Sequence, residues 1–128
     1  MTIPLADTSV WIDALRYGRT VLPSMTQHEE PIGFTEPVVM ELLSGCRNAR
    51  ESQSLRRLLL RGQLFGFDSV ADFEGAADIY RHATRRGLSP NSQIDCMIIA
   101  VAVRNEVPLI TLDMKQAAIA ELLGVAVM

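Results

Sequence analysis

Four acidic residues stand where a carboxylate could do chemistry as well as meet solvent: Asp7, Glu41, Asp95 and Asp113. Asp7 and Asp113 each follow a short apolar run, Ile3 to Ala6 and Leu109 to Leu112. Glu41 lies beside the apolar face of a helical pattern, a poor place for a charge. Asp95 follows Ser92 by three residues at the start of an apolar-rich stretch. Carboxylates brought together repel, and some take up protons unless a positive charge neutralises them. A hard cation such as Mg²⁺ or Mn²⁺ is the natural partner. Such an ion can acidify water, orient a phosphodiester and stabilise the leaving oxygen, so hydrolysis would need no His or Ser nucleophile. Each acid also has a structural reading. Asp7 and Asp113 suit helix N-caps, and Ser92 with Asp95 resembles a capping box with Asp in place of Glu or Gln. Glu41 could be a solvated helix edge. Asp68 also closes an apolar run, so position alone does not exclude it.

The elements that would position these acids can be read from periodicity and punctuation. Ile3 to Ala6 reads as a strand, with Pro4 tolerated only near its start. Thr8 to Tyr17 reads as a helix through Val10, Ile12 and Leu15. A short helix is expected near 24–30. Pro31 to Thr35 reads as a second strand. Glu36 to Cys46 reads as a helix with Thr35 as N-cap and Pro37 in the first turn. Its apolar face is Val38, Val39, Leu42, Leu43 and Cys46. Arg50 to Arg61 reads as a helix with Leu55, Leu58 and Leu59 inward, stopped by Gly62. The run Leu58-Leu59-Leu60 is more apolar than one buried stripe needs and could face a partner.

A third strand, Leu64 to Phe67, precedes a helix capped by Asp68 or Ser69 and stopped by Gly87. After the Ser89-Pro90-Asn91 turn, Ser92 opens a helix to Asn105. Leu109 to Leu112 is a fourth strand, with Pro108 barring helix just before it. Met114 to Leu123 is a last helix, and Val125 to Val127 a fifth strand. Strand and helix alternate, which predicts an α/β fold: a parallel sheet with helices on both faces. In that architecture sites form beyond the carboxyl ends of the strands. Asp7 and Asp113 end strands. Glu41 and Asp95 lie in the early turns of helices at the same rim.

Composition narrows the class. The chain has 128 residues, 48% of them apolar, and a net charge of −3. Residues 1–128 read as one domain, with no linker and no repeat. No apolar run is long enough for a membrane span, and the start does not read as a signal peptide; a cytoplasmic protein is expected. The charge argues against a nucleic-acid binder that relies on bulk positive potential. It does not exclude an enzyme with cations in an acidic pocket. Of the 12 basic residues, 11 are Arg and Lys115 is the one Lys. Cys46 and Cys96 sit among apolar neighbours and read as core. His28 and His82 are isolated, which disfavours a Cys/His metal site.

Four stretches together resemble the PIN-domain family, and within it the VapC-type ribonuclease toxins. Leu5-Ala6-Asp7-Thr8-Ser9-Val10-Trp11-Ile12 resembles the first motif of that family. Val39-Met40-Glu41-Leu42-Leu43-Ser44-Gly45 resembles the second. Ser92-Gln93-Ile94-Asp95-Cys96-Met97-Ile98-Ile99-Ala100 resembles the third, and Leu109-Ile110-Thr111-Leu112-Asp113 the fourth. The match is in order and spans nearly the whole chain. The resemblance implies a three-layer α/β/α sandwich with a five-stranded parallel sheet of order 3-2-1-4-5. It implies Mg²⁺- or Mn²⁺-dependent cleavage of single-stranded RNA, a homodimer, and inhibition by a small antitoxin. Asp7, Glu41, Asp95 and Asp113 correspond to the acidic set, with Asp7 and Asp95 as direct ligands. Thr8, Ser9 and Ser92 would orient acids or waters. One departure follows the fourth acid: the family often has a further Asp and an aromatic, whereas this chain has Met114-Lys115-Gln116. Lys115 then falls near the rim, where it could meet phosphate. Arg47, Arg85 and Arg86, near flanking turns, could guide the RNA backbone; as helix-end residues they also suit plain solvation.

Two other classes compete. A phospho-acceptor domain shares the sheet and the acids. A receiver wants an acid pair near the first strand and a Lys after the last, and a small aspartyl phosphatase wants Asp-x-Asp where this chain has Asp7-Thr8-Ser9. A PIN-like binding module without activity is the other, and the complete set of four acids speaks against it.

Overall fold

The computed structural model describes residues 2–17 and 31–128, so the helix expected near 24–30 lies outside the described residues. The elements run β1 (Leu5–Ala6), α1 (Thr8–Tyr17), β2 (Gly33–Phe34), α2 (Glu36–Ser44) and α3 (Ala49–Leu59). They continue as β3 (Gln63–Leu64), α4 (Ala71–Arg85), α5 (Gln93–Asn105), β4 (Leu109–Ile110) and α6 (Met114–Leu122). The strands form a parallel sheet of order β3-β2-β1-β4, flanked by helices as the alternation predicts. α1, α2 and α3 pack on one another, and α4 packs along α5.

The fifth strand is a correction of detail. Val125 to Val127 contributes one parallel bridge, Leu109 to Val127, beside β4. Two bonds hold it: Leu109 N–H to Ala126 at 2.8 Å, and Met128 N–H back to Leu109 at 2.9 Å. Gly124, at φ +79°, turns the chain off α6 toward this bridge. The place in the order matches the expected 3-2-1-4-5, but a ladder does not develop.

All strands are shorter than predicted, each with two residues, because the apolar runs continue past the last ladder bond. Pro4 has no N–H, yet its carbonyl accepts the Gly33 N–H at 2.7 Å. Any side chain at Gly33 would meet the Phe65 ring and stand 2.9 Å from that carbonyl, so glycine lets the two strands close. β3 is an exposed edge strand.

The core lies between sheet and helices. Leu5, Ala6, Leu109 and Ile110 supply the strands, and Trp11, Val38, Leu42, Leu55, Ile98, Ile99 and Ile119 the helices, all buried. Trp11 meets Phe34 edge-on, with ring centroids 6.0 Å apart. Cys96 is buried as expected, and its thiol is pushed up to about 11 by that burial; Cys46 is half-buried. Leu59 is buried and Leu58 packs partly against the core, whereas Leu60 is exposed. Among the described residues, no helix is long and apolar enough to cross a membrane.

One buried polar contact was not legible beforehand. Asp72, 1% exposed, receives Arg104 through Nε at 2.9 Å and Nη2 at 2.7 Å. The same Nη2 reaches the Gly66 carbonyl at 2.6 Å. This pair locks the start of α4 to the end of α5.

Candidate active site

The four acids arrive from four elements, and the local chemistry of each is visible. Asp7 leaves β1, held in the sheet by its N–H to the Ile110 carbonyl at 3.0 Å. Its Oδ1 accepts the Ser9 N–H at 3.0 Å, so Asp7 caps α1 as its residue type suggests. The same Oδ1 accepts the Ser9 hydroxyl at 2.5 Å, and Oδ2 accepts the Thr111 hydroxyl. Asp7 is 4% exposed. Glu41 stands midway along α2, half-buried, and its Oε1 accepts the Thr8 hydroxyl at 2.6 Å.

Asp95 lies in the first turn of α5. The Ser92 hydroxyl accepts its N–H at 3.3 Å, and the Ser92 main chain bonds back to its carboxylate, so the capping-box reading is realised. Asp113 caps α6 by accepting the Lys115 N–H at 2.9 Å and the Gln116 N–H at 3.3 Å. Its Oδ2 accepts the Asn91 amide at 2.9 Å. Capping and convergence are therefore compatible: a helix N-terminus tolerates the negative charge that the site collects.

Two hydroxyls lace the first motif to the fourth. Ser9 Oγ, which donates to Asp7, accepts the Leu112 N–H at 3.0 Å. Thr111 Oγ1, which also donates to Asp7, accepts the Asp113 N–H at 3.0 Å. Thr8, Ser9 and Ser92 thus bond Glu41, Asp7 and Asp95 respectively. Thr111 was missed; its place two residues before Asp113 in an extended run, hence on the same side, was the available signal. Asn91 and Gln116 were also missed, and no spacing rule marks either.

Electrostatics shows the convergence most directly. The Asp95 carboxyl is pushed up to about 6, first by burial and then by Glu41, Asp113 and Asp7 in turn. All three other acids therefore lie within its Coulomb reach. Burial also raises Asp7, against the opposing pull of Ser9 and Thr111. Asp68, the competing strand-end acid, is spent elsewhere. It accepts the Ala71 and Val70 N–H groups in the turn that leads into α4, which hold its carboxyl below the ordinary range.

The expected cations distribute unevenly. Lys115 reaches the rim, its Nζ donating to the Asn91 oxygen at 3.2 Å. Arg47 clasps Glu51 with Nε at 3.1 Å and Nη2 at 2.8 Å. It lines a cavity of about 450 Å³ with Arg16 and Arg50. Arg85 lines a different cavity, beside Arg81 and His82, and Arg86 ends α4. None of the four acids lines either cavity.

The donor set fits a hard divalent cation in kind: carboxylate oxygens, half or more buried, with burial first and then the neighbouring acids raising Asp95. Among the described residues, no three or more Asp, Glu, His or Cys side chains stand close enough together to hold a metal ion between them.

A stability prediction follows from Asp95. Its folded-state value, about 6, lies above the ordinary 3.8, so folding binds a proton in that window and stability falls as pH rises through it. Above pH 6 the charged form opposes folding. In chelator, Asp95→Asn is expected to be more stable than the parent at pH 7 by on the order of 1–2 kcal/mol, discounted for partial exposure. The gain should vanish below about pH 4. Denaturant melts at the two pH values check this; a less stable variant at pH 7 contradicts it.

Comparison with known proteins agrees with the geometry. A family model described as PIN domain matches residues 5–122. Ribonuclease VapC11 of Mycobacterium tuberculosis is 33% identical over 106 residues, covering 79% of each chain. Among solved structures, a DNA-bound VapBC from Salmonella typhimurium superposes with TM-score 0.81 at 16% identity, covering 100% of this chain and 98% of that one. VapBC2 from Rickettsia felis bound to a promoter DNA fragment gives 0.79 at 13%, covering 98% and 97%. At those identities the structures support the fold alone. The family match over most of the chain and the one-third identity to a VapC ribonuclease carry the assignment: the chain belongs to the PIN-domain family and, within it, to the VapC-type ribonucleases.

Proposed function

We propose that this chain is a divalent-metal-dependent endoribonuclease that cleaves single-stranded RNA and acts as the toxin of a toxin–antitoxin pair. The observation that supports the reading is the lacing of Asp7 to the Asp113 turn through Ser9 and Thr111, beside an Asp95 carboxyl raised first by burial and then by Glu41, Asp113 and Asp7. Asp7 and Asp95 are the direct ligands of a Mg²⁺ or Mn²⁺ ion, and Glu41 and Asp113 complete or tune the site. When bound, such an ion polarises a phosphoryl oxygen and acidifies water. The chain's own groups prepare the place. Ser9 and Thr111 fix the Asp7 carboxylate, Thr8 fixes Glu41, and Ser92 fixes the turn that presents Asp95. Lys115, at the rim, faces substrate phosphate, and Arg47 with its neighbours offers contacts further along the backbone.

A small antitoxin is the natural protein partner, as the names of the VapBC relatives suggest. We also propose that residues 1–128 act as one domain, in a cytoplasmic homodimer. The test is cleavage of total cellular RNA by the purified chain in manganese, with mapped products. Discrete internal cuts that chelator abolishes, and that a co-expressed upstream antitoxin suppresses, are expected. Chelator-resistant cutting, or none, overturns the reading.

A further inference from the structure

Gln116 has an environment that the ligand set does not explain. It lies in the first turn of α6, in the run that departs from the Asp and aromatic common in the family. It is 2% exposed. Its Nε2 donates to the Asp95 carbonyl at 3.0 Å, while its buried Oε1 has no partner among the described residues. A buried amide with one half unmet is disfavoured against an apolar side chain of equal length. Methionine would fill the same space. What methionine cannot do is tie the main chain of Asp95 to the helix that Asp113 begins.

That tie matters because the acids are held in different ways. Side chains from other elements grip Asp7, Glu41 and Asp113, through Thr111, Thr8 and Asn91. The Asp95 carboxylate takes its bond from the Ser92 main chain, within its own turn. Its place therefore follows the first turn of α5, against repulsion from three neighbouring acids. We propose that Gln116 is a positioning residue, whose grip on the Asp95 carbonyl sets the distance between the third and fourth acids and so the divalent-cation affinity of the centre. This rests on the metal reading above. Gln116 touches no substrate; it acts through Asp95.

The test is Gln116→Met in the full chain, with three readouts: Mn²⁺ affinity of the metal-free protein by calorimetry, Tm in chelator, and kcat and KM on a short RNA. Mn²⁺ affinity is expected to weaken about 10-fold or more, as for other outer-shell partners of metal ligands. Tm should stay within about 3 °C of the parent or rise, since an unmet acceptor leaves the core. kcat should fall while KM holds. Unchanged affinity beside a parent that binds Mn²⁺ overturns this proposal and leaves the metal reading standing. A large fall in Tm along with affinity also overturns it, because the role is then structural. If the parent itself takes up no Mn²⁺, the metal reading fails and this proposal with it.

Discussion

Asp7→Asn or Asp95→Asn is expected to lower RNA cleavage at least about 10²–10³-fold, with the fold intact. Both changes are isosteric and remove one negative charge each from a centre whose chemistry depends on charge. At position 7, asparagine still offers Oδ1 to the Ser9 N–H that caps α1. The Thr111 hydroxyl can rotate to accept from the new amide, so the sheet-to-helix junction survives. At position 95, the main-chain N–H that bonds Ser92 is untouched, and lost repulsion from Glu41, Asp113 and Asp7 favours the fold. The two variants therefore separate activity from stability. Cleavage by gel assay, with melting curves on the same preparations, checks the pair. Variants that melt normally and cut at the parental rate would remove both residues from the chemistry.

Arg104→Met is expected to cost about 3 kcal/mol and to lower Tm by roughly 10 °C. Asp72 is 1% exposed and takes three charged bonds from Arg104. Without the guanidinium it is a buried charge left, among the described residues, with the Asp68 N–H at 2.8 Å. The lower end of the usual range applies because about a third of Arg104 faces solvent. Adding Asp72→Asn to Arg104→Met should recover much of the loss, since the penalty lies in the stranded charge. Urea melts of the single and double variants check this. A double variant no better than the single one would mean that the pair contributes by shape alone.

The sheet was legible from the alternation of strand and helix, whereas local position marked the four acids only as candidates beside Asp68, and the resemblance to the PIN-domain family singled them out. Asp7 and Asp113 follow apolar runs and cap the next helix, so one residue type serves two purposes at a recognisable junction. Asp95 follows Ser92 at capping-box distance, and Glu41 is conspicuous as a charge beside an apolar face. What remained hidden depends on contacts between distant residues. Asp72 and Arg104 are 32 positions apart, and each alone reads as surface charge. Asn91 reads as a turn residue, yet its amide joins Asp113 to Lys115. Gln116 sits in a helix that reads as ordinary. Strand ends were overdrawn because apolar runs such as Leu109 to Leu112 continue past the last ladder bond. There Thr111 and Leu112 leave the sheet to bond Asp7, Asp113 and Ser9 instead.

Titration of the chelator-stripped parent chain with Mn²⁺, followed by calorimetry, tests the acidic centre most directly. Saturable uptake is expected for the parent, with Asp7→Asn and Asp95→Asn each abolishing it or weakening it severely. Equal uptake by all three proteins, or none by the parent, would contradict a divalent-cation site built from these carboxylates.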